Sequence, residues 1–275
     1  MEKCLVTKLQ GIVSNQSLAK IDDFRIKFGE PSSISADSQY VGISPAGIPF
    51  RVVNGYLTDE NLTVNKGTSG KTTEAGMYFS KGSEVLFEGK SKIEIIYVHN
   101  SGALNNSAKE ISLKDFKYSK LLRVLDFRNC KVNGNLSDLK KLISLTTILG
   151  DNTEVEGDVS ELADLINLNS LNLMYCVKIK GDLSTLPKNV SNIAMSGKSV
   201  SFEWKNNRPS ESYIISMTIT NLGDDVDSML INQANCKVSI NNNKVISVYG
   251  NRTSASDAAV ATLQTKGYTV SVTPA

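Results

Sequence analysis

The feature that most constrains this chain is one short phrase written three times between residues 122 and 197. Val132-Asn-Gly134-Asn-Leu136-Ser137-Asp-Leu139 returns as Val155-Glu-Gly157-Asp-Val159-Ser160-Glu-Leu162, and again as Ile179-Lys-Gly181-Asp-Leu183-Ser184-Thr-Leu186. The glycines step by 23 and then 24 residues. A unit of that length cannot close a core alone, so it buries its apolar face against copies of itself.

A second pattern runs through the same stretch. Leu122-Arg-Val-Leu125-Asp-Phe127-Arg-Asn-Cys130 has counterparts beginning at Leu145, Leu168, Val190, Ile214 and Val245. The form Leu-x-x-Leu-x-Leu-x-x-Asn/Cys at this period predicts a leucine-rich repeat solenoid, with the leucines pointing inward and the x positions on an outer, concave face. Each inward Leu or Ile contributes roughly 1.5–3 kcal/mol on burial. Ser137, Ser160 and Ser184 are placed to cap short helical turns, and the three repeated glycines to free the backbone at a corner. A helical cap is expected over 113–121, a helix over 224–235, a second over 254–263, and a final strand over 268–272.

Upstream, strands are expected over 4–7, 24–28, 50–54, 76–79, 84–87 and 92–98, separated by Gly-, Pro- and Ser-rich turns. The expected fold class is therefore α+β: an N-terminal β-sandwich-like domain (1–105) followed by a leucine-rich repeat solenoid (106–275) with a capping helix and strand. The polar stretch 100–107 marks the boundary.

Chemistry is sparse. Thirty Lys+Arg against 28 Asp+Glu leave a net charge of +2, which recruits neither nucleic acid nor an anionic membrane. No apolar run is long enough to span a bilayer, and the opening residues have no secretory h-region. Cys4, Cys130, Cys176 and Cys236 read as reduced thiols, since Cys130 and Cys176 have a whole repeat between them. No Cys-x-x-Cys occurs and His99 is the sole histidine, so no metal, cofactor or catalytic residue is expected. Gly67-Thr-Ser-Gly70-Lys71-Thr-Thr73 is too short between its glycines for a phosphate loop. Asp224-Asp225-Val-Asp227 lacks the rest of a calcium loop and reads as a helix start. Trp204 is open between an exposed anchor and packing over its loop.

The outward positions are the functional candidates: Arg123, Thr146, Thr147, Asn169, Asn192, Ser196, Ser216 and Ser247 as supporting polar surface, with Asp126, Arg128, Asp151, Asn172, Tyr175, Thr218, Tyr249 and Arg252 as the expected ligand-binding set. Such an Asn/Thr-rich face with two tyrosines suits hydrogen bonding to protein or glycan.

Three segments carry a resemblance: 221–234, running Asn221-Leu-Gly-Asp-Asp-Val-Asp-Ser-Met-Leu; 246–259, with Tyr249-Gly-Asn-Arg-Thr-Ser-Ala-Ser-Asp257; and the opening Cys4-Leu-Val-Thr-Lys-Leu-Gln-Gly11, ending at 24–28. Together they resemble leucine-rich repeat proteins of Bacteroides-type gut bacteria and their phages and prophages. The resemblance implies a non-enzymatic, virion- or tail-associated protein, assembled in the host cytoplasm. Its N-terminal domain would attach to other virion proteins, and its repeats would display a surface to a host protein or glycan. A bacterial cell-surface adhesin is the alternative, and it would require a native start upstream of Met1.

Overall fold

The computed structural model describes residues 23–28, 40–45, 47, 50–53, 55–58, 65–67, 70–73, 75–80, 84–88, 92–98, 109–196, 201–240 and 243–274. The strand expected over 4–7, Cys4, His99 and the polar stretch 100–107 lie outside the described residues.

Among the described residues, twenty strands follow in chain order. The first nine are β1 (Asp23–Phe28), β2 (Tyr40–Pro45), β3 (Phe50–Val53), β4 (Gly55–Thr58), β5 (Asn65–Gly67), β6 (Gly70–Thr72), β7 (Gly76–Ser80), β8 (Glu84–Glu88) and β9 (Ile93–Tyr97). Next come β10 (Lys109–Ser112), β11 (Val124–Asp126), β12 (Lys131–Asn133), β13 (Thr147–Leu149), β14 (Glu156–Asp158), β15 (Ser170–Leu173) and β16 (Lys178–Lys180). The last four are β17 (Asn192–Ser196), β18 (Ser216–Thr220), β19 (Lys244–Tyr249) and β20 (Tyr268–Thr273), with helices α1 (Val226–Asn235) and α2 (Asp257–Thr265) preceding β19 and β20.

The expected α+β class, a β-sandwich followed by a leucine-rich repeat solenoid, is corrected by the strand pairing. β9 pairs in parallel with β11, and β13, β15, β17, β18, β19 and β20 follow, so eight parallel strands form one large sheet. Antiparallel β2, β7, β4 and β5 prolong that sheet to 12 strands among the described residues. A second sheet of six, β12-β10-β1-β8-β3-β6, is joined across the same junction by parallel pairing of β10 with β12. With few helices around one large parallel sheet, the class is α/β-like.

The reason lies in side-chain alternation. Ile96 of β9 stands in line with Leu125, and the line continues through Ile148, Leu171, Ile193, Met217, Ile246 and Val270. All but Val270 are essentially removed from water. β9 thus presents the same apolar row as the repeats, and pairing with β11 buries that row. Alternation marks Ile93–Tyr97 as a strand but does not say which strand it pairs with.

Each repeat returns through a tight corner. At successive corners Asn135, Asp158 and Asp182 accept hydrogen bonds from the backbone N–H of Ser137, Ser160 and Ser184, starting short 3-10 turns. The caps are these Asn/Asp residues; Ser160 and Ser184 add their hydroxyls as donors to the same carboxylates at 2.7 and 2.6 Å. Gly157 and Gly181 adopt φ +124° and +118°, and a Cβ at Gly181 would lie 2.2 Å from Oδ1 of Asp158 in the preceding corner. Both the backbone and the close approach therefore require glycine.

The helical cap expected over 113–121 is a single 3-10 turn, Leu113–Phe116, after β10. Helix α1 is longer because Val226, Met229, Leu230 and Gln233 recur at helical spacing and are buried. Among the described residues, no helix is long and apolar enough to cross a membrane.

Candidate functional site

The strands of the large sheet alternate between the core and an outer face, so register alone places the outward side chains. One outward row reads Tyr97, Asp126, Leu149, Asn172, Ala194, Thr218, Ser247 and Ser271. The row before it reads Ile95, Val124, Thr147, Ser170, Asn192, Ser216, Val245 and Thr269. Neighbouring strands bring these side chains within about 5 Å of one another, so the face is a continuous array.

At its N-terminal end the array carries a charged network. Arg128 donates from Nε and Nη2 to the two oxygens of Asp126, at 2.9 and 2.7 Å. Asp126 is only 1% exposed, and its carboxylate is covered by Arg128. The Arg128 guanidinium extends to within 3.8 Å of Asp151, which accepts from Asn172 Nδ2 at 3.4 Å. The hydrogen bond to Asp126 raises the Arg128 pKa against the opposing effect of burial, with both carboxylates adding to it. Four of the expected residues, from three successive repeats, thus form one connected set with a fixed fork geometry.

The other expected residues lie apart. Tyr175 follows β15 and is 60% exposed, and its backbone N–H donates to Ser196, itself buried. Its φ is +63°, in the left-handed region, where Asn129, Asn152 and Asn221 stand at the matching turns. Asn tolerates that backbone and a bulky aromatic does so only with strain. Thr218 lies in the middle of the outer face, and Tyr249 is 42% exposed at the end of β19. Arg252 is engaged with the following helix, donating from Nε to Ser256 at 3.0 Å and pairing with Asp257 at the start of α2. Of the supporting residues, Arg123 pairs with Glu94, while Asn169 and Asn192 both donate to Ser191 Oγ at 3.1 Å.

Tyr97 and Leu149 belong to the face and escaped the repeat template. Tyr97 precedes the first repeat, and an apolar residue at an x position is invisible to a pattern that counts only leucines at fixed places. Trp204 is packing: it is 2% exposed, with its backbone N–H donating to Asp225 at 2.7 Å. Nearby, Arg208 is buried and donates from Nη2 to the carbonyls of Pro187 and Val190, and burial lowers its pKa to about 10. Asp224 and Asp227 accept from the following repeat, through Asn251 and through Thr253 with Ser256. Cys130, Cys176 and Cys236 are buried; the Cys130 thiol donates to the Val98 carbonyl at 3.3 Å, and burial pushes the Cys176 and Cys236 thiols up. Among the described residues no three His, Cys, Asp or Glu side chains come together as a metal-binding group.

No protein-family model matches the chain, and no curated protein matches it.

Proposed function

We propose that this chain is a non-enzymatic virion component, a head or tail appendage, that recognises a host-surface protein or glycan through the outer face of its large sheet. Its N-terminal part attaches to other virion proteins, and repetition of the chain on a symmetric particle makes weak single contacts add up. The resemblance of segments 221–234 and 246–259 to phage-linked proteins supplies the setting. The observation that carries recognition is Tyr175: a largely exposed aromatic held in a left-handed backbone where the matching turns use Asn. Strain kept at an exposed aromatic points to use of the ring, and tyrosine gives large contact area with few rotatable bonds.

The test separates stability from binding. Tyr175→Asn relieves the backbone, so the variant should gain up to about 1 kcal/mol in urea unfolding. The same variant, fluorescently labelled, should bind host cells at least about tenfold more weakly, as loss of an aromatic anchor does. Binding that survives in the stabilised variant would remove Tyr175, and with it the argument for this face.

A further inference from the structure

We infer that β20 is a self-association edge, at which a second copy of this chain adds its own β20 antiparallel and continues the large sheet across a two-fold axis. A sheet edge presents unpaired N–H and C=O groups, and proteins that remain unpaired guard such edges with charge or proline. Among the described residues the edge strands of the three sheets are β5, β6, β12, β14, β16 and β20. Lys66, Lys71 and Lys131 stand in β5, β6 and β12, Glu156 and Asp158 in β14, and Lys178 and Lys180 in β16. β20, Tyr268-Thr-Val-Ser-Val-Thr273, is the longest of the six and has no charge and no proline.

Its sequence is also its own antiparallel complement. Thr269-Val270-Ser271-Val272-Thr273 reads the same in both directions, so a two-fold at Ser271 sets Thr269 against the copy's Thr273 and Val270 against the copy's Val272. The backbone agrees with that register. The Thr273 carbonyl accepts from Gly250 at 2.9 Å, on the β19 side. Alternation then turns the Val270 and Val272 amide and carbonyl groups outward, and these are the residues that would face each other as hydrogen-bonded pairs. Thr269, Ser271 and Thr273 are exposed, and like pairs of β-branched residues and hydroxyls are favourable across strands. The edge is also held in place, since the Tyr268 hydroxyl donates to the Ile214 carbonyl at 2.8 Å. Uncharged, self-complementary and pre-ordered, this edge fits another copy of itself, and the contact closes at two because it is isologous.

The test uses the full chain. Sedimentation equilibrium over roughly a hundredfold range of concentration should show a monomer–dimer equilibrium. Ser271→Lys, on the exposed side of the strand, places two ammonium groups at the axis and should weaken the dimer about tenfold or more, while leaving unchanged the unfolding midpoint read at low concentration, where both chains are monomers. Ser271→Cys puts its two Cα atoms at about 4.5 Å in a non-hydrogen-bonded pair, within disulfide reach, so mild oxidation should give covalent dimer. Thr218→Cys, far from the edge on the same face, should not. A monomer throughout, with Ser271→Cys linking no faster than Thr218→Cys, would overturn the inference and leave this edge to a strand of another protein.

Discussion

At Gly150 the space a side chain would take is filled by Phe127 from the preceding repeat: a Cβ there would lie 2.2 Å from the ring. Phe127 and Gly150 hold matching places just after the adjacent strands β11 and β13, so a large residue is accommodated by the absence of its neighbour's side chain. Gly150→Ala should therefore cost about 1–3 kcal/mol, measured by urea unfolding. The same logic explains why this glycine was legible only as a break in the leucine pattern; the reason for it lies in Phe127, 23 residues away. Asp227 gives a pH-dependent prediction at this scale. Burial would raise its carboxyl, but the Ser256 and Thr253 hydroxyls, the Thr253 N–H and Arg252 outweigh burial and hold its pKa below the ordinary value. A depressed folded pKa contributes stability above the unfolded value of about 3.9 and loses it as the pH falls through the folded one. Wild type should thus melt above Asp227→Asn at neutral pH, and the gap should close as the pH falls below about 4. A gap that persisted at pH 2 would deny the carboxylate this role.

Among the elements, the corners show how one residue does several jobs. Asp182 accepts from the N–H and hydroxyl of Ser184 and from the Lys205 N–H, at 2.9, 2.6 and 3.2 Å, so it caps a 3-10 turn and anchors the loop bearing Trp204. Asp182→Ala should cost about 1–2 kcal/mol and shift Trp204 fluorescence to the red as the loop loosens. An unshifted spectrum would confine Asp182 to its cap. The repeat strands were legible in the spacing of Leu125, Ile148 and Leu171, because inward alternation at a fixed period leaves them one way to bury. β10 was not, since Lys109-Glu-Ile111-Ser offers one apolar residue and gains its place only by pairing with β1 and β12. The sequence puts each of the three caps two residues too late because Ser, Asn and Asp all serve that role, and only geometry decides among them. The outer face was readable as a polar surface; the joining of Asp126, Arg128, Asp151 and Asn172 depended on register across three repeats.

For the molecule as a whole, the junction between β9 and β11 makes the N-terminal strands and the repeats share a sheet. Sequence alternation predicted strands on both sides of it and placed them in separate bodies, because pairing partners distant in sequence leave no local mark. A shared sheet predicts shared unfolding. Leu125→Ala, at the junction, should cost about 2–5 kcal/mol and lower the midpoint seen by Trp204 fluorescence and by far-ultraviolet circular dichroism equally. Two separated transitions would mean that the junction does not couple the halves. As proposed, this chain is built into a phage particle as a recognition component, which quantitative mass spectrometry of purified virions from the source strain can decide. The chain should be found at a fixed, stoichiometric ratio to the major virion proteins; its absence from virions, with recovery in the bacterial envelope instead, would overturn the proposal.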